Sequence, residues 1–223
     1  MFSGPSNFVN SVDTAFWIVM LISVFFLILI TFLMVFFVIK YNRKRSPKAS
    51  NIHGNVPLEI TWTVIPTLLT LVMFYYGWVG YKKMADIPKD SYPIKVTAQM
   101  WKWSFQYPNG VKADSLFVPV NTDIKCDLHS LDVDHSFFIP AFRVKKDVIP
   151  GDKRETWFNA KEVGTYELTC AEYCGLNHWH MYTKVVVMPS DKFYSWLDNK
   201  AKMDSLSNIK SAAKPSSDST KTD

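Results

Sequence analysis

Hydrophobic positions along the chain change their rhythm twice. Residues 15–39 and 61–80 carry no charge, and each run is long enough to cross a hydrocarbon layer of about 30 Å. From residue 92 the period becomes two. Ile94, Val96 and Ala98 alternate with polar neighbours, Trp101, Trp103, Phe105 and Tyr107 continue the alternation, and Ile124, Cys126 and Leu128 repeat it. Short strand-like stretches at 155–158, 166–168 and 184–188 follow, with turn signals at Pro108-Asn109-Gly110, Ile149-Pro150-Gly151-Asp152 and Gly164. A helical pattern then returns behind Ser190 as cap, with Phe193, Trp196 and Leu197 as its apolar residues.

These rhythms predict a two-helix transmembrane hairpin followed by an all-β sandwich or barrel. The expected organisation is an external lead over 1–14, a hairpin over 15–81 with a basic loop at 40–56, and a charged linker at 82–91. A β-domain over 92–189, a C-terminal helix over 190–205 and a disordered Ser-, Lys- and Asp-rich tail over 206–223 complete it. Asn55, Pro57 and Glu59 read as the start of the second helix: a capping residue, a first-turn proline and a carboxylate suited to the helix dipole. Pro66 should kink that helix unless neighbours satisfy the freed carbonyl. Trp17, Trp62 and Trp78 suit interfacial belts.

The net charge of +5 suggests a nucleic-acid partner until it is located. Lys40, Arg43, Lys44, Arg45 and Lys48 lie between the two apolar runs with no acid among them, and the other 20 of 25 basic residues balance the 20 acids. The excess is therefore a topology signal. It puts the loop in the cytoplasm and the N-terminus and β-domain outside, and it removes nucleic acid as a partner. Residues 1–14 hold no Lys or Arg, and the first run is longer than a leader's apolar core, so an uncleaved anchor is expected.

The chemistry concentrates in Cys170-Ala-Glu-Tyr-Cys-Gly-Leu-Asn-His-Trp-His-Met181. Thiolate and thioether favour copper, imidazole suits copper or zinc, and zinc has no use for methionine. A mononuclear copper loop carries one cysteine, whereas two thiolates can bridge a pair of ions, so the count points to a binuclear copper centre. A Cys170–Cys174 disulfide would leave His178 and Met181 unexplained. Three cysteines are too few for a disulfide framework, and none forms a haem-attachment sequence. One further ligand should come from elsewhere, and His135, expected at an inter-strand corner, is the best candidate. His180 is expected to face solvent or hydrogen-bond, and Cys126 and His129 to be strand residues.

At this point the chain resembles subunit II of cytochrome c oxidase, the copper-A subunit of haem-copper terminal oxidases. The resemblance rests on Leu58-Glu-Ile-Thr-Trp-Thr-Val-Ile-Pro66, Trp101-Lys-Trp-Ser-Phe-Gln-Tyr107, Asp132-Val-Asp-His-Ser-Phe137 and the Cys170 to Met181 loop. It implies a cupredoxin-like Greek-key sandwich and a dinuclear copper site held by His135, Cys170, Cys174, His178, Met181 and the backbone carbonyl of Glu172. It also implies a magnesium ion shared with subunit I through the Glu172 carboxylate, and Trp101 as the residue that receives electrons from cytochrome c. Glu59 is either a helix-start carboxylate or, by resemblance, the entrance of a proton-uptake path into subunit I. Asp114, Asp132 and Asp134 are candidates for steering a basic donor, although Asp134 stands where the family usually has an apolar residue.

The function these features imply is an electron relay in the bacterial inner membrane. A c-type cytochrome on the periplasmic side would reduce the copper pair, which would pass electrons to haem in subunit I for oxygen reduction and proton translocation. The alternatives are a copper-A subunit of a nitric oxide reductase and a copper-free structural subunit of a quinol oxidase; the second predicts loss of the ligands, and all are present.

Overall fold

The structure is a computed structural model that describes residues 4–48 and 53–212. The chain divides into two compact units, one holding residues 10–83 and the other residues 3–9 together with everything from residue 84.

The first unit is a helical hairpin, α1 (Val9–Lys40) and α2 (Val56–Ala85). At 1.5 Å per residue these helices are about 48 Å and 45 Å long, more than a hydrocarbon layer requires. Their most apolar windows are not buried by protein at all, which excludes core helices of a soluble fold. The outer ends of the pair meet where the Lys83 ammonium donates to the Ser11 hydroxyl at 3.5 Å. α1 starts six residues earlier than the charge-free run suggested, because Asn10, Asp13 and Thr14 form a polar first turn, with Thr14 Oγ1 donating to the Asn10 carbonyl at 2.6 Å. At its other end the Lys40 ammonium lies 5.3 Å from the centroids of both the Phe36 and Tyr41 rings.

The Asn55 side chain caps α2, accepting from the Leu58 amide at 3.1 Å. The helix is continuous through Pro66. Thr61, Thr63, Thr67 and Thr70 donate their hydroxyls to the carbonyls of Pro57, Glu59, Thr63 and Pro66, so no hydroxyl among these is left to apolar surroundings. Residues 82–85, expected in the linker, are the last turn of α2. Of the basic loop, residues 49–52 lie outside the described residues.

The second unit is a sandwich of two five-stranded sheets. One is ordered β3-β2-β1-β5-β8, with β1 (Tyr92–Gln99), β2 (Lys102–Gln106), β3 (Lys112–Ala113), β5 (Asp123–Ser130) and β8 (Arg154–Asn159). The other is ordered β4-β10-β9-β6-β7, with β4 (Leu116–Pro119), β6 (His135–Ile139), β7 (Val144–Val148), β9 (Gly164–Cys170) and β10 (Tyr182–Met188). β1 runs parallel to β5 and β4 parallel to β10; the remaining pairs are antiparallel. The alternating residues Ile94, Val96, Ala98, Phe105, Ile124, Cys126 and Leu128 are all fully buried between the sheets.

The final helix, α3 (Ser190–Ala212), starts on the Pro189 carbonyl, which accepts from the Phe193 amide at 3.0 Å, so Ser190 is already helical and does not cap. Phe193 is fully buried, 5.8 Å from the Tyr92 ring and 6.1 Å from that of Tyr107, and Trp196 stacks on Phe117 at 4.3 Å. The helix continues to Ala212, past the expected boundary at 205, while 213–223 lie outside the described residues.

The segment expected to be a polar lead is partly structured: Phe8 and Val9 are buried in the second unit. The region read as a sandwich or barrel is a two-layer sandwich.

Phe193→Ala is expected to destabilise the second unit by about 3 kcal/mol, within the range for deleting a buried ring. Denaturant unfolding of the purified chain, followed through β-sheet circular dichroism, measures it.

Candidate metal centre

Sheet order alone brings the soft donors together. β6, β9 and β10 are neighbours with antiparallel pairing between β6 and β9 and between β9 and β10. The first residue of β6, the last of β9 and the first of β10 therefore share one edge, and these are His135, Cys170 and Tyr182. His135 opens a strand instead of turning the corner expected for it.

The loop between Cys170 and Tyr182 is closed by the Cys170 amide donating to the Met181 carbonyl at 3.0 Å, and the Ala171 amide ties it to β6 through the Ser136 carbonyl at 3.1 Å. Inside it, Gly175 has φ +111°, a conformation L side chains resist, and a Cβ there would lie 3.4 Å from the Trp101 ring. The chain then coils into a 3₁₀ turn, His178–His180, whose amides return to the carbonyls of Gly175 and Asn177.

The six expected donors converge. Cys170 Sγ lies 3.9 Å from Cys174 Sγ, 3.7 Å from His135 Nδ1 and 3.2 Å from the Glu172 carbonyl oxygen. Cys174 Sγ lies 3.4 Å from His178 Nδ1 and 3.7 Å from Met181 Sδ. Each thiol thus has one imidazole nitrogen and one weak donor beside it. The donor atoms of His135, Cys170 and Cys174 all fall within 4.8 Å of one another. His135, Cys170, Cys174 and Met181 are buried, and His178 is partly exposed. His180 is exposed and lies between the rings of Trp179, tilted against it, and Tyr182, edge to face with it.

The two thiols ionise unequally. Burial pushes the Cys170 thiol up, but hydrogen bonding from His135 and from the backbone at Ser136 outweighs it and holds the group at about 7. Cys174 is pushed up to about 12, first by burial and then by the negative charge of Cys170. Cys126, fully buried in the core, has its thiol pushed far up by desolvation and is 0% exposed, which separates it from this chemistry.

Asp132 is the residue whose place beside the site sequence reasoning missed. Besides its surface charge it has a second role: its Oδ1 meets His135 Nε2 at 2.8 Å and accepts from the Val133 amide at 2.8 Å, while Oδ2 accepts from the Met100 amide at 2.7 Å. Burial raises its pKa, and these hydrogen bonds more than offset that, holding the carboxyl below the usual range. A carboxylate on the far ring nitrogen fixes which nitrogen His135 turns toward the thiols. The signal was present as the Asp-x-x-His spacing. Trp101, on the β1–β2 connection, donates its indole N–H to the Cys174 carbonyl at 3.2 Å. The Glu172 carboxylate points to Lys145, 3.0 Å away, which also holds Asp147 at 3.1 Å. Glu59 lies exposed in the first turn of α2, in the other unit, and is not part of this cluster.

Fold and donor cluster together define a cupredoxin-like domain carried on a pair of membrane-length helices. The family model for the periplasmic domain of cytochrome c oxidase subunit II matches residues 74–188, and that for its transmembrane domain matches residues 3–77. The chain belongs to the cytochrome c oxidase subunit II family. The cytochrome c oxidase subunit 2 of Alkalihalophilus pseudofirmus is 37% identical over 180 residues, covering 74% of this chain and 52% of that protein. The chain thus spans about half the length of that relative. The Cereibacter sphaeroides counterpart is 26% identical over 211 residues, covering 77% and 70%. A solved structure of the periplasmic domain of cytochrome oxidase subunit II from Bradyrhizobium japonicum is similar over 53% of this chain and 99% of its own, with 33% identity and a TM-score of 0.51.

Two outcomes follow from the thiol ionisation and from Asp132. Loading the metal-free protein with a thiophilic ion should release more protons as the pH falls, because below about 7 Cys170 is protonated as well as Cys174 and His135, whose pKa is raised, must also give up its ring proton to bind. Apparent affinity therefore rises with pH, more steeply below 7; indicator-dye proton counting during titration measures it. Asp132→Asn should weaken metal binding about 10- to 100-fold by chelator competition, with the fold retained.

Proposed function

We propose that this chain is the electron-receiving subunit of a respiratory haem-copper oxidase in a bacterial inner membrane, with its β-domain and N-terminus on the periplasmic side. The carrying observation is the pairing of donors: two thiols 3.9 Å apart, each flanked by one imidazole nitrogen and one weak donor. Such a set suits two equivalent soft ions sharing both sulfurs better than one four-coordinate ion, which would leave the Met181 sulfur and the Glu172 carbonyl unused. A bound copper pair supplies a one-electron relay.

The residues of this chain do the rest. His135, Cys170, Glu172 through its carbonyl, Cys174, His178 and Met181 hold the pair. The loop-closing hydrogen bonds of the Cys170 and Ala171 amides and the buried walls hold these donors in place, the rigidity that a relay would require. Trp101, partly exposed and hydrogen-bonded to the Cys174 carbonyl, offers a route from the surface to the Cys174 residue. A c-type cytochrome is the proposed donor, haem in subunit I the proposed acceptor, and oxygen reduction with proton translocation the work of the assembled complex. Magnesium at the Glu172 carboxylate belongs to the same reading and would share that carboxylate with Lys145. Glu59, in the first turn of α2 beside the basic loop, faces the side from which protons are taken up.

The test is copper loading of the full-length chain in detergent, with metal analysis and electron paramagnetic resonance. The expected result is two coppers per chain and a mixed-valence signal with the unpaired electron shared between them. Cys170→Ser should abolish that signal, while Trp101→Phe should leave it intact and slow only reduction by a cytochrome. A mononuclear signal, or binding of a single zinc ion in preference, overturns the reading.

A further inference from the structure

The N-terminal segment is docked on the β-domain. Residues 4–9, which precede the body of α1 in sequence, pack on the outer end of β8, about 150 residues away along the chain. Ser6 forms an antiparallel bridge with Ala160. Around it, the Asn7 amide donates to the Asn159 carbonyl at 3.1 Å, the Asn159 amide donates to Asn7 Oδ1 at 2.9 Å, and the Lys161 amide donates to the Pro5 carbonyl at 2.8 Å. The Ser6 hydroxyl is buried and donates to the Phe142 carbonyl at 2.8 Å, while accepting from the Phe8 amide at 3.2 Å. Phe8 is 2% exposed and meets the Trp157 ring edge to face at 5.0 Å. A Cβ at Gly4 would lie 2.5 Å from Val9, so the segment is folded tightly on itself before it docks.

A polar lead with no docking role would leave Phe8 in water and the edge groups of residues 159–161 to solvent. Here an aromatic side chain is desolvated, and two backbone–backbone hydrogen bonds and one to the Asn7 side chain hold the segment at a single bridge just past the end of β8, a short form of recognition by strand addition. We infer that residues 4–8 are a built-in ligand of the β-domain: a short bent segment, anchored by Phe8 and registered by Ser6, that caps the end of β8 in cis. Residues 4–8 must then be kept in the mature protein, and their docking does not depend on the metal reading.

The experiment uses the purified full chain in detergent. Intact mass is expected to include residues 4–8, and hydrogen exchange to show the Asn7 and Lys161 amides protected. Phe8→Ala should accelerate exchange at these two amides by about tenfold or more while the β1 and β5 amides keep their protection. Should that variant loosen the whole domain, Ser6→Ala removes one hydrogen bond and no apolar contact; about a threefold local loss is then expected. The inference is overturned by a mature chain that begins beyond residue 8, by Asn7 and Lys161 exchanging as fast as free chain in the wild type, or by both variants leaving them as protected as before.

Discussion

Two sulfur atoms 3.9 Å apart in a buried pocket cannot both carry a charge unless a cation stands with them. Two unit charges at about 4 Å repel by about 4 kcal/mol at an effective dielectric of about 20, and burial adds the cost of desolvation. The metal-free protein meets this by dividing the roles. Cys170 takes the negative charge with help from His135 and the backbone, and Cys174 stays protonated. Asp132 then supports His135 from behind, so a chain of hydrogen bonds runs from the Met100 amide through a carboxylate and an imidazole to the sulfur pair. Everything around the pocket serves to keep this unfavourable proximity in place until a metal relieves it.

Much of this was legible in the sequence because it is local. Five of the six donors lie within twelve residues, and their spacing survives any uncertainty in strand boundaries. The alternating strands β1, β2 and β5 announce themselves because one face is core and the other is wet. β6 was hidden for the opposite reason: His135, Ser136 and Phe137 are all buried, so no alternation remains to be read. β7 was hidden by Lys145, Lys146 and Asp147, charged residues in mid-strand at the end of its sheet. The role of Asp132 needed the fold, since an aspartate in a loop looks the same whether it faces water or braces a ligand.

The N-terminal segment marks the limit of pattern reading most clearly. Ser6, Asn7 and Phe8 have no periodicity to offer, and their partners at 142 and 157–161 lie more than 130 residues away. Long-range pairing of this kind is set by the shape of a finished edge and not by any local preference. α2 shows the reverse: the hydroxyls of its threonines are each satisfied one turn back along the same helix.

The partial exposure of His178 has a consequence for exchange. Among the side-chain donors it is the most exposed, since Cys170 is 8% exposed, Cys174 3% and Met181 1%, and it stands on a short 3₁₀ turn. An ion exchanging at this cluster would meet that turn first. Kinetic retention is thereby uncoupled from affinity: two variants that bind equally tightly can differ widely in how long they keep their cargo, according to how firmly the amides of His178 and His180 hold the turn closed.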